Sequence, residues 1–372
     1  MAFRRRVDQS AVTRTGDGET PLLASVHRYP IPQEHSRLRY VLDHGRSLMA
    51  GTPYTALRYA NTDFGRCVHA LLARHDYSVL HVESLDLVGY LNRLPLERTV
   101  LVHHNVESDL LRERADRHPR GWVRGVVRLQ AERVERAERD WCARVAVNVC
   151  VSEADSNVLH GRAPAGRFEV VPNGVDTEYF RPNPSAEAGG LVFCGVLDWY
   201  PNADALEFFV SEIQPLLDLP PDTPVTWVGR HDGDLAGQYA GSGVRLPGFV
   251  PDIRPLVWGA SCYVVPLRMG SGTRLKVLDA WAMGKAVVST SVGCAGLAAR
   301  DGENILIADS APAFADAVKR VLGDAELRHL LGAAGRSTVE RQYSWKVVGD
   351  AAVDLYRDLA DRQTARSRIT SS

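Results

Sequence analysis

PLRMGSGTRLKVLDAWAMGKAVVST (266–290) is the stretch on which the reading of this chain turns. A β-branched run, CYVVP (262–266), leads into it, Gly270 and Gly272 flank Ser271, and helical spacing begins near Thr273. Glycines let the backbone approach a ligand closely, and the unpaired N–H groups of a first helical turn point at whatever lies there. That helix end carries an effective charge of about +0.5, so an anion is favoured beside it. Arg274 in the first turn and Lys276 just beyond add two cations, an arrangement suited to a diphosphate. Lys276 and Asp279 stand three apart and share one helix face. The alternative is that these two merely pair while Arg274 is solvated. The stretch is not a dinucleotide fingerprint, because Leu275 holds the third glycine position. It is not a Walker loop either, since Ala286 follows Gly284–Lys285 and Asp279 stands where the first glycine would be.

Outward from this stretch, short apolar β-branched runs alternate with helical patterns. VLHVE (79–83), TVLVH (99–103), VAVNVCV (145–151) and FEVVP (168–172) form one series of expected strands. LVFCG (191–195), the run beginning VTWV (225–228), CYVVP, AVVST (286–290) and NILIA (304–308) form a second. Near-continuous apolar strands separated by helices predict parallel sheets covered on both faces. Leu206, Phe209, Val210, Ile213, Leu216 and Leu217 have helical spacing, and Pro220–Pro221 end that helix. The polar stretch from Pro172 through RPNPSAEAGG (181–190) marks the boundary between two doubly wound domains. Their ligand is expected in the cleft at the strand carboxyl ends.

With 372 residues the chain is long enough for two ordinary cores, and 45% apolar with 24% charged residues excludes fibrous and disordered classes. A net charge of −1 gives no global field for nucleic acid. Of 44 basic residues only four are lysines, which singles out Lys276. The six cysteines lack metal-site or paired spacing and read as small buried hydrophobes in a reducing compartment. No apolar run is long enough to span a bilayer, and MAFRRRVDQS has no apolar stretch behind its arginines, so no secretory leader is expected. Residues 107–144 hold ten arginines and eight acids, with Glu132–Arg136 and Glu135–Arg139 four apart. That predicts a solvated helix face; a weak contact with anionic lipid is the second reading, against which the alternating signs argue.

Several segments together carry a family resemblance. VVPNGVDTEYFRP (170–182), LVFCGVLDWYPNADALEFF (191–209), GFVPDIRPLV (248–257) and the 266–290 stretch resemble family 4 of the retaining glycosyltransferases. LVHHNVES (101–108) and VSEADSNVL (151–159) extend the likeness, and the pieces are most similar to sugar transferases of exopolysaccharide systems. The resemblance implies the GT-B fold, two facing Rossmann-like domains, and a nucleotide-diphosphate sugar held by the C-terminal one. It assigns donor contacts to Gly195, Gly270, Ser271, Gly272, Thr273, Arg274, Lys276 and Asp279. The base is expected against backbone near Phe249, Val250 and Ile253, and the interdomain hinge at Asn173–Gly174, with Asp176 as a local cap. Within the family's Glu-x7-Glu motif, Ser271 replaces the first acid and Asp279 the second, and Val196 follows Gly195 where the family has Gly-Arg. His104 matches the histidine the family places near the anomeric carbon; the other reading is a structural histidine. His103 alternates with it along the strand and should point the opposite way, as a control. Glu107 either orients His104 or simply begins the next helix, the reading preferred here.

The resemblance implies residues 1–180 as an acceptor-side domain, 181–343 as the donor domain, and 344–372 as a helix returning to the first domain, then a tail. The family's first strand, Gly-rich loop and helix are not legible ahead of LLASV (22–26), so the N-terminal domain is expected to lack that unit. The implied activity is transfer of a sugar from a nucleotide-diphosphate sugar to a hydroxyl acceptor with retention, in polysaccharide or glycoconjugate biosynthesis. A donor-binding but inactive partner of another transferase is the alternative. Expected partners are the nucleotide sugar and a sugar or lipid-linked acceptor, without nucleic acid, cofactor or metal. The expected location is cytoplasmic, with weak peripheral association at the inner face of the membrane left open, as is the oligomeric state.

Overall fold

In this computed structural model residues 25–183, 189–220, 222–231, 233–270 and 274–370 are described. The first strand series forms a four-stranded parallel sheet: β1 Leu80–Val82, β2 Thr99–His103, β3 Val147–Cys150 and β4 Phe168–Val170, in that order. The second forms a six-stranded sheet from β5 Leu191–Cys194, β6 Val225–Val228, β7 Val244–Gly248, β8 Cys262–Val265, β9 Val287–Ser289 and β10 Leu306–Ile307. Its order is β10-β9-β8-β5-β6-β7, with every pairing parallel. β2, β3, β5, β8 and β9 are buried along their whole length, as runs covered on both faces must be.

Strand β7 is absent from the sequence expectation. VRLPG alternates half-buried and exposed residues and contains Pro247, which a sheet tolerates at its edge, where this strand lies. The helix expected over 206–217 is not continuous: Tyr200–Phe208 is α-helical, Phe209–Ile213 widens to a π turn and Gln214–Leu216 tightens to a 3-10 turn. Pro215, which lacks an N–H, sits in that tightened end. Of LLASV, only Ala24's successors Ser25 and Val26 are described, and neither is in a strand.

The charged segment 107–144 also departs from expectation. It folds into two helices, Glu107–Arg117 and Gly121–Cys142, and part of its charge faces inward. Arg112 pairs with Asp109 and Glu135, while Arg162 pairs with Asp109, Glu135 and the buried Glu138. Buried Arg133 donates to the Ser47 and Leu48 carbonyls. Arg136 donates to the backbone oxygen of Glu132.

The two faces of the first sheet have different covers. Leu101 packs with Val82, Leu91, Val134 and Trp141, whereas Val100, Val102, Val147 and Val149 pack under Leu355, Tyr356 and Leu359. The latter three come from helix Trp345–Thr370, so the C-terminal helix completes the N-terminal domain. The chain crosses between domains twice, side by side: Val175 N–H donates to Tyr343 O and Trp345 N–H to Val175 O. Asn173–Gly174 lie at this crossing, and a Cβ on Gly174 would meet the Trp345 ring at 2.7 Å. Asp176 caps the following turn, accepting from the N–H groups of Glu178 and Tyr179.

In the larger core Phe193, Trp227, Phe209, Tyr263 and Trp281 are fully buried, and Phe193 stacks on Trp227 at 4.1 Å. Just past the ends of β5 and β6 two glycines touch. A Cβ on Gly229 would lie 1.7 Å from the Gly195 carbonyl oxygen. Gly229→Ala must push those strand ends apart, so we expect a loss of about 1–3 kcal/mol in urea unfolding.

Candidate active site

In the larger sheet the strand order reverses between β5 and β8, which sends their loops to opposite sides and opens a crevice at their carboxyl ends. The loop after β5 contributes Gly195, Val196 and, on the helix that follows, buried Asn202. The loop after β8 leads to helix Leu275–Ala282, which carries Lys276 and Asp279. Ser271, Gly272 and Thr273 lie outside the described residues, and the helix starts at Leu275, two residues later than the spacing suggested.

Asn202 ties the two loops together. Its Nδ2 donates to Val196 O at 2.7 Å, and its Oδ1 accepts from Lys276 Nζ at 2.6 Å. Any Cβ on Gly195 would stand 2.9 Å from Asn202 Nδ2, so only glycine fits beneath this bridge. Lys276 Nζ also sits 4.3 Å from the centre of the Phe193 ring. Burial, reinforced by the Arg274 charge, pushes the Lys276 ammonium down to about 7. The Lys276–Asp279 pair of the alternative reading does not form, since the ammonium is turned to Asn202. Burial alone raises Asp279 to about 7. Among the described residues, no hydrogen bond or ion pair engages its carboxyl group. A lysine with a neutral partner and an unengaged carboxyl group thus share one helix face at the crevice.

Arg274 is not the solvated cation of the sequence alternative. It is 7% exposed, with Nε donating to Val292 O at 2.9 Å and Nη2 to Gly270 O at 2.6 Å. Its position braces the loop after β8 from within. The domains meet over that loop: Gly270 N–H donates to Glu113 Oε2 at 3.3 Å, and burial lowers the Arg274 pKa, an effect that the nearby charges of Asp155 and Glu113 only partly offset. At the rim, Phe249 is exposed just past β7, whereas Val250 and Ile253 pack on the core.

Across the cleft, His104 directly follows β2 and is half-buried. Its Nε2 lies 3.1 Å from Oε1 of Glu83, the residue after β1. Glu83 also meets His81 through Oε2 and is held far below the ordinary carboxylate range by hydrogen bonds from His104 and His81. The carboxylate beside His104 is therefore Glu83 and not Glu107, which begins its helix and accepts from Asn105 at 3.2 Å. Burial raises Glu107 to about 7. His103 points the other way, as alternation requires, into the core. There it meets Asn148 Oδ1 at 3.1 Å and Cys142 Sγ at 3.5 Å, and burial lowers it to about 4. It is therefore a structural residue and no neutral control.

Sequence reasoning missed Glu83 and left Asn202 without a role. Asn202 stood inside the quoted WYPNAD segment, but its contact lies 74 positions away. Glu83 could have been found from β1 pairing β2 in register Val82↔Leu101, which sets Glu83 beside the end of β2. Among the described residues, no group of three or more His, Cys, Asp or Glu side chains could hold a metal ion. No helix of the described residues is long and apolar enough to cross a membrane.

Comparison with known proteins places this architecture. Residues 4–179 match the profile described as Glycosyltransferase Family 4, and residues 188–324 that of Glycosyl transferases group 1. A D-inositol 3-phosphate glycosyltransferase of Saccharomonospora viridis is 30% identical over 309 residues, 73% of this chain and 67% of that protein. A phosphatidyl-myo-inositol mannosyltransferase of Mycobacterium tuberculosis is 30% identical over 51% of this chain and 54% of its own length. The chain spans between a third and about half the length of several such curated relatives. Among solved structures, sucrose-phosphate synthase from Thermosynechococcus elongatus superposes with a TM-score of 0.65 at 21% identity, covering 82% of this chain and 81% of that one. Anabaena HepE in complex with UDP gives 0.63 at 14% identity, covering 79% and 82%. With both domains matched and the two-sheet architecture shared, the chain belongs to the family 4 glycosyltransferases and has the GT-B fold.

Proposed function

We propose that this chain binds a nucleotide-diphosphate sugar in the β5–β8 crevice and transfers the sugar, with retention, to a hydroxyl of a sugar or lipid-linked acceptor in glycoconjugate biosynthesis. The observation that carries the reading is the Lys276–Asn202 bridge across the switch point, with the Asp279 carboxyl group unengaged beside it. Lys276 would face the diphosphate and Asp279 the ribose hydroxyls. Arg274 would hold the Gly270 loop in shape for the phosphate oxygens. As the bond to the diphosphate breaks, negative charge grows on that leaving group, and a fixed cation and loop N–H groups stabilise it where it develops. His104 would contact the reacting sugar or the acceptor hydroxyl. Family membership supports the reaction class, and UDP in the HepE structure supports a nucleotide in this fold. No step in this scheme uses a metal or cofactor.

The test is turnover of a panel of sugar nucleotides by the purified chain, with the anomeric configuration of the product read by proton NMR. Release of one nucleoside diphosphate with retained configuration is expected. Product of inverted configuration would refute retention. Absence of turnover despite nucleotide binding would instead favour the inactive donor-binding reading.

The depressed Lys276 gives a pH signature. Its ammonium titrates near pH 7 in the free protein and is held protonated by a bound diphosphate, so binding takes up a proton above that pH. Nucleoside diphosphate affinity should therefore fall as pH rises from 7 to 9. Asp279, also raised to about 7, loses its proton over the same range and adds its own contribution to the slope. Calorimetric titration should show a steeper slope in the native chain than in Lys276→Met, the difference being the lysine's share.

A further inference from the structure

A chain of hydrogen bonds runs from the C-terminal helix to His104. Tyr356, packed on the β2–β3 face, meets His81 Nδ1 at 2.5 Å, with its ring edge-on to the imidazole at 5.9 Å. His81 Nε2 meets Glu83 Oε2, and Glu83 Oε1 meets His104 Nε2. An ionised carboxylate only accepts, so both histidines must donate from Nε2. His81 then has its lone pair on Nδ1, where the Tyr356 hydroxyl donates. The same rule leaves the His104 lone pair on Nδ1, which among the described residues has no partner. With both rings neutral, one tautomer pattern satisfies every member of the network.

We infer that Glu83 is a positioning residue: it holds His104 as the Nε2–H tautomer, with Nδ1 presented as a hydrogen-bond acceptor for a substrate hydroxyl, and His81 and Tyr356 hold Glu83 in place. This rests on the reading of His104 given above. It also gives the C-terminal helix a second task beyond covering the sheet, because Tyr356 sits 275 positions from His81 and reaches the site only when that helix is docked. Glu107, the other acid near His104, is engaged by Asn105 and plays no part in the chain.

Glu83 is exposed, so the isosteric Glu83→Gln should fold as the native chain does. A glutamine amide can accept from one histidine but must donate to the other, which forces one ring into the Nδ1–H tautomer. Long-range nitrogen–proton NMR of the full chain with labelled histidines, assigned through His81→Gln and His104→Gln, reads this directly at pH 8. Native rings should both be Nε2–H, and one should switch in Glu83→Gln. Nucleoside diphosphate release from UDP-glucose and GDP-mannose should fall ~10–100-fold in kcat with KM for the donor changed little, as for a misoriented group. Tyr356→Phe should produce a smaller loss of the same kind. Unchanged tautomers in Glu83→Gln, or native kcat in that variant while His104→Ala is inactive, would overturn the inference and leave the reading of His104 standing. Native turnover by His104→Ala would overturn that reading itself.

Discussion

Lys276→Ala is expected to weaken nucleoside diphosphate binding strongly while the protein keeps its melting temperature or gains slightly. A charged hydrogen bond to a diphosphate contributes about 1.5–3 kcal/mol, so affinity should fall roughly 10- to 150-fold. Two features argue for the upper part of that range. The ammonium is held by Asn202 in one place, so little of its freedom is lost on binding. Its charge also meets little competition from water at the crevice, as its depression to about 7 shows. That depression means the free fold disfavours the charged lysine. The resulting strain on stability is greatest below pH 7 and vanishes above the unfolded lysine's own range, because stability then rises with pH between those values. Removing the charge relieves it, while the lost contact with Phe193 acts the other way. Calorimetric titration paired with a thermal melt at pH 6.5 checks both halves. Native affinity in this variant would remove Lys276 from the donor site.

His104→Ala is expected to lower transfer by ~10²–10⁴-fold and leave nucleoside diphosphate affinity within about twofold, because a positioned acid–base or hydrogen-bonding group acts on the reacting centre. The side chain is half-exposed at the strand end, so its removal should not unfold the domain. His103 is unsuitable for comparison: it is 4% exposed and bonded to Asn148, and its loss would destabilise the β2–β3 core. Exposed His75, at the end of helix Thr62–Arg74, is the appropriate control, and His75→Ala should transfer normally. Equal activity of the His104 and His75 variants would exclude His104 from the reaction.

Much of this architecture was legible because each strand buried on both faces leaves an uninterrupted apolar run. TVLVH and LVFC could hardly be anything else, and their order along the chain implied parallel pairing. β7 was hidden because an edge strand needs only one apolar face and can hold Pro247. The interrupted helix after Trp199 was hidden for a different reason: its apolar spacing fits a helix, while the π turn answers to packing that spacing does not encode. Among candidate site residues, Lys276 was signalled by residue type and Gly195 by the family resemblance. Their partner Asn202 was not, because contacts between loops of neighbouring strands follow from strand order. Arg274 and the acids of 107–144 show the converse. A charge read as facing a ligand, as with Arg274, or solvent, as with the acids of 107–144, can be turned inward wherever carbonyls or opposite charges stand ready, and only the tertiary structure tells which.

The central claim, a nucleotide-diphosphate sugar seated between the β5 and β8 loops, is tested most directly by a thermal-shift screen of the purified chain. UDP, GDP, ADP, CMP and their common sugar conjugates would be added to the native protein and to Lys276→Ala. A ligand at 100 times its dissociation constant stabilises by about 2.7 kcal/mol. That corresponds to several degrees for a protein of this size. The account predicts such a shift with one nucleoside diphosphate and its sugar conjugate in the native chain, lost in the variant. A cooperatively melting native sample that responds to none of them, or a shift that survives Lys276→Ala intact, would contradict it.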